Sequence, residues 1–229
     1  MRSRPLEGPP GRDAPAADEF PRHTAAERRA DAAVHALGLT LGAAGCAALA
    51  AVALPGADLL RLVAIGAYAA GLLAMLGCSA LYNLTADGPR KRLFRRLDHA
   101  AIFLMIAGTY TPFALVAVGG GLGAGLLALV WTVAAGGTAV EMLGLGRHDG
   151  LSVAAYLLLG WSVLPALGPL SAALPPPGLA LLVAGGVLYS AGVVFHLWAR
   201  LPYHNAVWHG FVLAAAACHY AAVLRALAA

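Results

Sequence analysis

Two polar pairs interrupt otherwise apolar stretches of this 229-residue chain: Ser79 with Asn83, and Asn205 with His209. Residues four apart share one face of a helix, so each pair presents its side chains together. Two such faces, with Asp98 supplied by a third helix, make the geometry of a metal site bridging helices. His204, next to Asn205, is a further nitrogen donor. At five residues' separation it stands ~140° from His209 around an ideal helix, so joining the same site would require the helix end to unwind. Asp98 also suits a plainer role, as the N-cap of its helix. His219 lies ten residues beyond His209, about 15 Å further along a helix. It reads as an interhelical hydrogen-bonding residue. His35, His196 and His204 read as headgroup-level residues at helix ends.

The elements that carry these residues are membrane helices. The chain is 60% apolar and only 11% charged, with mean hydropathy +0.76. A soluble domain carries roughly 25% charged residues, so this chain cannot cover a globular surface with polar groups. A span needs about 20 apolar residues. Seven runs qualify: 32–54, 62–82, 100–119, 122–140, 151–170, 179–198 and 206–224. The expected fold is therefore an all-α, seven-transmembrane helix bundle over 32–229. Residues 1–31, polar and proline-rich, are expected to form a disordered tail. The prolines at 175–177 place a loop over 171–178, and Pro112 and Pro165 are expected to kink their helices. Cys46, Cys78 and Cys218 all lie in apolar runs, so no disulfide framework is implied.

Basic residues orient the bundle. The tail holds six Arg, and Arg90, Lys91, Arg92, Arg95 and Arg96 lie between the second and third spans. Arg147 and Arg200 fall on the same side, which makes 13 of the 15 basic residues. The distribution predicts a cytoplasmic N-terminus and an external C-terminus. It also brings Asn83, Asp98, Asn205 and His209 to the cytoplasmic leaflet. Ionisable groups within a span are costly, so this cluster is the candidate functional site.

Three blocks carry a family resemblance: Ser79-Ala-Leu-Tyr-Asn83; Arg96-Leu-Asp98-His99 leading to Ile106-Ala-Gly-Thr-Tyr-Thr-Pro112; and Leu201-Pro-Tyr-His204 through Trp208-His209 to His219-Tyr220. In them the chain resembles the hemolysin III family, the bacterial branch of the progestin and adiponectin receptor family, over about residues 30–229. The resemblance implies a multi-pass protein of a bacterial plasma membrane. It also implies a zinc site near the cytoplasmic face, with ligands at positions 83, 205 and 209. Asp98 and Ser79 are then the candidate catalytic residues. The family pattern has His where this chain has Asn83 and Asn205. Neutral amide oxygens suit Ca²⁺ better than Zn²⁺, so zinc affinity is expected to be weak, with His204 as a substitute ligand.

Three functions follow from the resemblance. The first is membrane homeostasis or lipid sensing around a degenerate zinc site, with a lipid or lipid-like small molecule as partner and no nucleic acid. The second is zinc-dependent hydrolysis of a lipid amide, as in ceramidases. The third is a cytolytic pore or channel, although no continuous polar stripe runs along the spans.

Overall fold

The computed structural model describes residues 23–146 and 149–228. Within them, seven helices are long and apolar enough to cross a membrane. Helix α1 spans Ala25–Ala53, α2 Leu59–Leu84, α3 Pro89–Pro112 and α4 Gly120–Met142. The fifth span is divided into α5, Asp149–Trp161, and α6, Leu167–Ala173. Helices α7, Pro176–Leu197, and α8, His204–Ala228, complete the bundle. The seven-span, all-helical fold read from composition is thus the fold adopted. Exposed side chains such as Leu59, Leu151 and Leu158 face outward, as a lipid surround allows and water does not.

The helix ends show how sequence sets the boundaries. Helix α1 begins seven residues before the expected position 32. Thr24 caps it through a capping box: its hydroxyl accepts from the Glu27 amide at 3.2 Å, and its own amide donates to Glu27 Oε2 at 2.8 Å. Such a reciprocal pair satisfies amides that a helix start otherwise leaves bare. Residues 25–31, expected in the disordered tail, are therefore helical and carry Asp31 into the bundle. The rest of that tail, residues 1–22, and Arg147 lie outside the described residues. Helix α3 also starts early, at Pro89, so Asp98 is an interior residue and not a cap.

Pro112, Pro165 and the prolines at 175–177 each lie at a break in regular α-helix or at a helix start. Pro112 lacks an amide hydrogen, and the chain continues past it as a π-helical segment, Phe113–Val118. Gly119 and Gly120, at φ 61° and 56°, then make the turn into α4 in a conformation that glycine adopts without steric cost. Pro165 lies in the 3₁₀ turn Leu164–Ala166 that separates α5 from α6. The carbonyls of Leu159 and Gly160, at the end of α5, lie 3.0 and 2.6 Å from the Tyr110 hydroxyl. The expected loop over 171–178 shrinks to Leu174 and Pro175. Pro176 and Pro177 open α7, where a missing amide hydrogen costs nothing.

Helix α1 packs between α2 and α8, α3 packs against α2 and α4, and α7 packs on α8. The α2–α3 seam is close because glycines face backbone. A Cβ at Gly71 would sit 2.9 Å from the Leu104 carbonyl oxygen, and one at Gly108 only 2.6 Å from that of Ala67. Lipid supplies no hydrophobic drive between helices, so close contact of this kind carries the packing. The bundle leaves a cavity of about 430 Å³ lined by residues of all its helices.

Candidate functional site

The polar residues gather where α1, α2 and α8 meet. Asp31 and His35, four residues apart on α1, face His209 on α8. The Asp31 Oδ1 atom is 2.6 Å from His209 Nδ1, and the His35 and His209 rings lie 4.4 Å apart between centroids. All three residues are buried, at 6%, 6% and 8% exposure. One donor atom from each falls within a 4.8 Å group that could hold a metal ion.

The amides expected as substituted ligands brace this group. The Asn205 side chain donates to Asp31 Oδ2 at 3.1 Å and to Asn83 Oδ1 at 3.0 Å. Asn83 in turn donates to the Ser79 carbonyl oxygen at 2.9 Å. The Ser79 hydroxyl is 3.5 Å from His209 Nε2. Asp98 and Ser79 line the cavity together with His35 and His209. The structure therefore brings Ser79, Asn83, Asn205 and His209 into one network, and sets Asp98 on the same cavity wall. His204 is elsewhere: its ring lies 5.5 Å from that of His23.

The residues at hand suit a metal in a different way from the expected set. Asn83 and Asn205 are committed to hydrogen bonds with each other and with their neighbours. Asp31 and His35 instead restore three zinc-type donors around His209, one carboxylate and two imidazoles. The His35 Nε2 atom is buried without a hydrogen-bond partner. It is 3.4 Å from Asp31 Oδ2, but not aligned for a bond. A buried nitrogen without a partner is costly unless something fills its coordination. From sequence alone, Asp31 falls in the expected tail and His35 at headgroup level. The signals were present: Thr24 and Glu27 fit a capping box, and Asp31 and His35 are four apart.

A second polar pair lies on the same cavity. His99 Nδ1 is 3.5 Å from Glu141 Oε2, and Ser152 donates to Glu141 Oε1 at 2.5 Å. This pair ties α3 to α4 and α5. Other motif residues serve packing. Thr111 donates to the Ala107 carbonyl at 2.7 Å and accepts from Trp131 Nε1 at 3.1 Å.

Residues 25–220 match the family described as Haemolysin-III related. The chain belongs to this family. It is 41% identical to Hemolysin-3 of Bacillus cereus over 162 residues, 71% of this chain and 74% of that one. It is 35% identical to the Hemolysin-3 homolog of Bacillus subtilis (strain 168) over 201 residues, 88% and 94% of the two chains. The monocyte to macrophage differentiation factor of Homo sapiens is 31% identical over 166 residues, 70% of this chain and 68% of that one. This relative connects the haemolysin-III chain to the progestin and adiponectin receptor family, as its motifs imply. The match begins at residue 25, the first residue of α1, so the helix bearing Asp31 and His35 belongs to the family domain.

Proposed function

We propose that this haemolysin-III protein binds a lipid or lipid-like amphiphile in its cavity, with the polar head at a divalent metal held by Asp31, His35 and His209. Its role on this reading is membrane homeostasis or lipid sensing. The observation that carries the reading is the position of the group. Three buried metal-type donors gather in one group, and two of them, His35 and His209, line a cavity whose walls are otherwise mostly apolar, including Met75, Ile102, Met105, Ile106 and Phe113. Zinc is the first candidate, because carboxylate and imidazole are its usual donors and the amides are occupied in bracing. The ion would replace the proton held between Asp31 and His209, so uptake weakens as pH falls.

Ser79 and Asp98 support a second reading, hydrolysis of a lipid amide. Both line the cavity beside the metal-type donors. A bound divalent cation there supplies Lewis acidity, polarising a carbonyl and lowering the pKa of a water. Ser79 and Asp98 would orient the head group and hold a proton next to it. The orientation proposed is N-terminus inside, as the basic residues favour. It puts the polar end of the cavity at the cytoplasmic leaflet.

Elemental analysis of the purified, detergent-solubilised chain tests the metal reading. We expect close to one zinc per chain, lost in His35→Ala and His209→Ala and retained in Asn83→Ala. Zinc that survives His35→Ala but is lost in Asn83→Ala would overturn the ligand set in favour of the amide positions.

A further inference from the structure

The cavity has a second polar end that neither reading uses. Two residues lining it carry a buried polar atom without a hydrogen-bond partner among the described residues: His35, at Nε2, and Tyr189, at its hydroxyl. His35 belongs to the metal-type group. Tyr189 belongs to a different place, on α7 facing α8, where its ring lies 5.5 Å from that of His219. His219 lines the cavity as well. It follows His209 by ten residues on the same helix, which sets the two ends about 15 Å apart.

His219 is fixed in one protonation pattern. Its Nε2 is 3.1 Å from the carbonyl oxygen of Leu182. A carbonyl only accepts, so Nε2 carries the hydrogen and Nδ1 is left as an acceptor. Room for the ring comes from Gly185, where a Cβ would collide with it. The nearby polar groups are already matched. Trp161 donates to Ser190 at 3.0 Å, Ser190 donates to the Gly186 carbonyl at 2.8 Å, and Tyr110 is spent on the end of α5. Along the cavity lining, what remains here is one donor, the Tyr189 hydroxyl, and one acceptor, His219 Nδ1; the Tyr68 hydroxyl, also without a partner, does not line the cavity. Among the described residues, no carboxylate or cation accompanies the Tyr189 and His219 pair. An unmatched buried hydroxyl in this setting is costly and calls for a partner.

We infer that this pair is a selectivity subsite for a neutral hydroxyl carried partway along the hydrocarbon chain of the bound amphiphile. A hydroxyl accepts from Tyr189 and donates to His219 Nδ1 at once, which a plain chain cannot do and a carbonyl does by half. The inference rests on the reading of the cavity as a lipid site, with the polar head at the Asp31 end.

Direct binding to the purified full chain tests it, with three probes: octadecanoate, 12-hydroxyoctadecanoate and 2-hydroxyoctadecanoate. The 12-hydroxyl stands roughly as far from its head group as His219 does from His209. Wild type should bind the 12-hydroxy acid about tenfold more tightly than octadecanoate, the return from one pair of neutral hydrogen bonds. The 2-hydroxy acid should behave as octadecanoate. Tyr189→Phe should abolish the preference while octadecanoate affinity is unchanged. This variant removes only an unpartnered hydroxyl, so its fold is retained, and thermal unfolding verifies that. Equal affinity of wild type for octadecanoate and the 12-hydroxy acid, or a preference that survives Tyr189→Phe, overturns the subsite and leaves the lipid reading standing. Failure of all three probes to bind overturns the lipid reading itself, and the subsite with it.

Discussion

Replacing Asp31 is the sharpest perturbation of the polar group. Asp31→Ala removes the partner of His209 Nδ1 at 2.6 Å and one acceptor of Asn205 at 3.1 Å. Two limits bound the effect. If both contacts behave as ordinary interhelical hydrogen bonds in a membrane protein, the loss is about 0.6 kcal/mol each. If they form a buried charge-assisted unit, breaking it costs about 3–5 kcal/mol. Burial of Asp31, His35 and His209 below 9% exposure favours the second limit. For a chain of this size 1 kcal/mol moves Tm by about 2–4 °C. Metal-free Asp31→Ala should therefore melt at least about 6 °C below wild type, followed by intrinsic fluorescence of the four tryptophans. Asp31→Asn keeps one acceptor oxygen and turns the other into a donor, so it should lose about half as much. Zinc adds a second arm. At 100 times its Kd a ligand stabilises the folded state by about 2.7 kcal/mol, so wild type should rise by about 5–10 °C and Asp31→Ala should not respond. A metal-free Asp31→Ala melting within 2 °C of wild type would refute the charge-assisted unit, and a zinc response equal to wild type would remove Asp31 from the ligand set.

Two further outcomes follow from the packing and the charge distribution. Gly108→Ala drives a methyl to 2.6 Å from the Ala67 carbonyl, so it should destabilise by about 1–3 kcal/mol. Gly66→Ala meets nothing within 4 Å and should leave Tm unchanged or slightly raised; equal losses in the two would remove the α2–α3 seam as the cause. For orientation, in a chain with its native cysteines replaced, a membrane-impermeant maleimide applied to intact cells should label Ala57→Cys and spare Ala86→Cys, and the reverse pattern would invert the bundle.

The seven spans were legible because lipid leaves a blunt mark on composition: long apolar runs separated by basic loops. Pro112, Pro165 and the 175–177 prolines marked the interruptions for a similarly local reason. The polar group was only half legible. Ser79, Asn83, Asn205 and His209 could be placed on shared faces by spacing alone. That the Asn side chains would brace a carboxylate was invisible, because the carboxylate lies 174 residues away from Asn205 in sequence. Asp31 was lost to a boundary. Apolar content begins near position 32, while the helix begins where its backbone amides are capped, at Thr24. Hydropathy reports where lipid starts, and capping reports where the helix starts; Asp31 and Glu27 fall in the interval between them. Tyr189 and His219 were individually visible, but their pairing depends on how α7 packs on α8, which no local pattern encodes.

The contact between Asp31 and His209 joins positions 178 residues apart, and Glu27 Oε1 accepts from the Tyr203 amide at 3.0 Å across a similar separation. Synthesis delivers the first of these helices early and the last one at the very end. Throughout insertion of the intervening spans, the Asp31 carboxylate lacks His209 and Asn205 and has only His35 of its own helix beside it. A charged group in hydrocarbon is tolerated only with a partner or at the water boundary, so α1 must sit high, with Asp31 near the headgroups, until α8 arrives. Its descent into register is then coupled to the chain being whole. A chain truncated before α8 would keep at its first helix a carboxylate stripped of its two α8 partners, which is a chemical difference that membrane quality control can read.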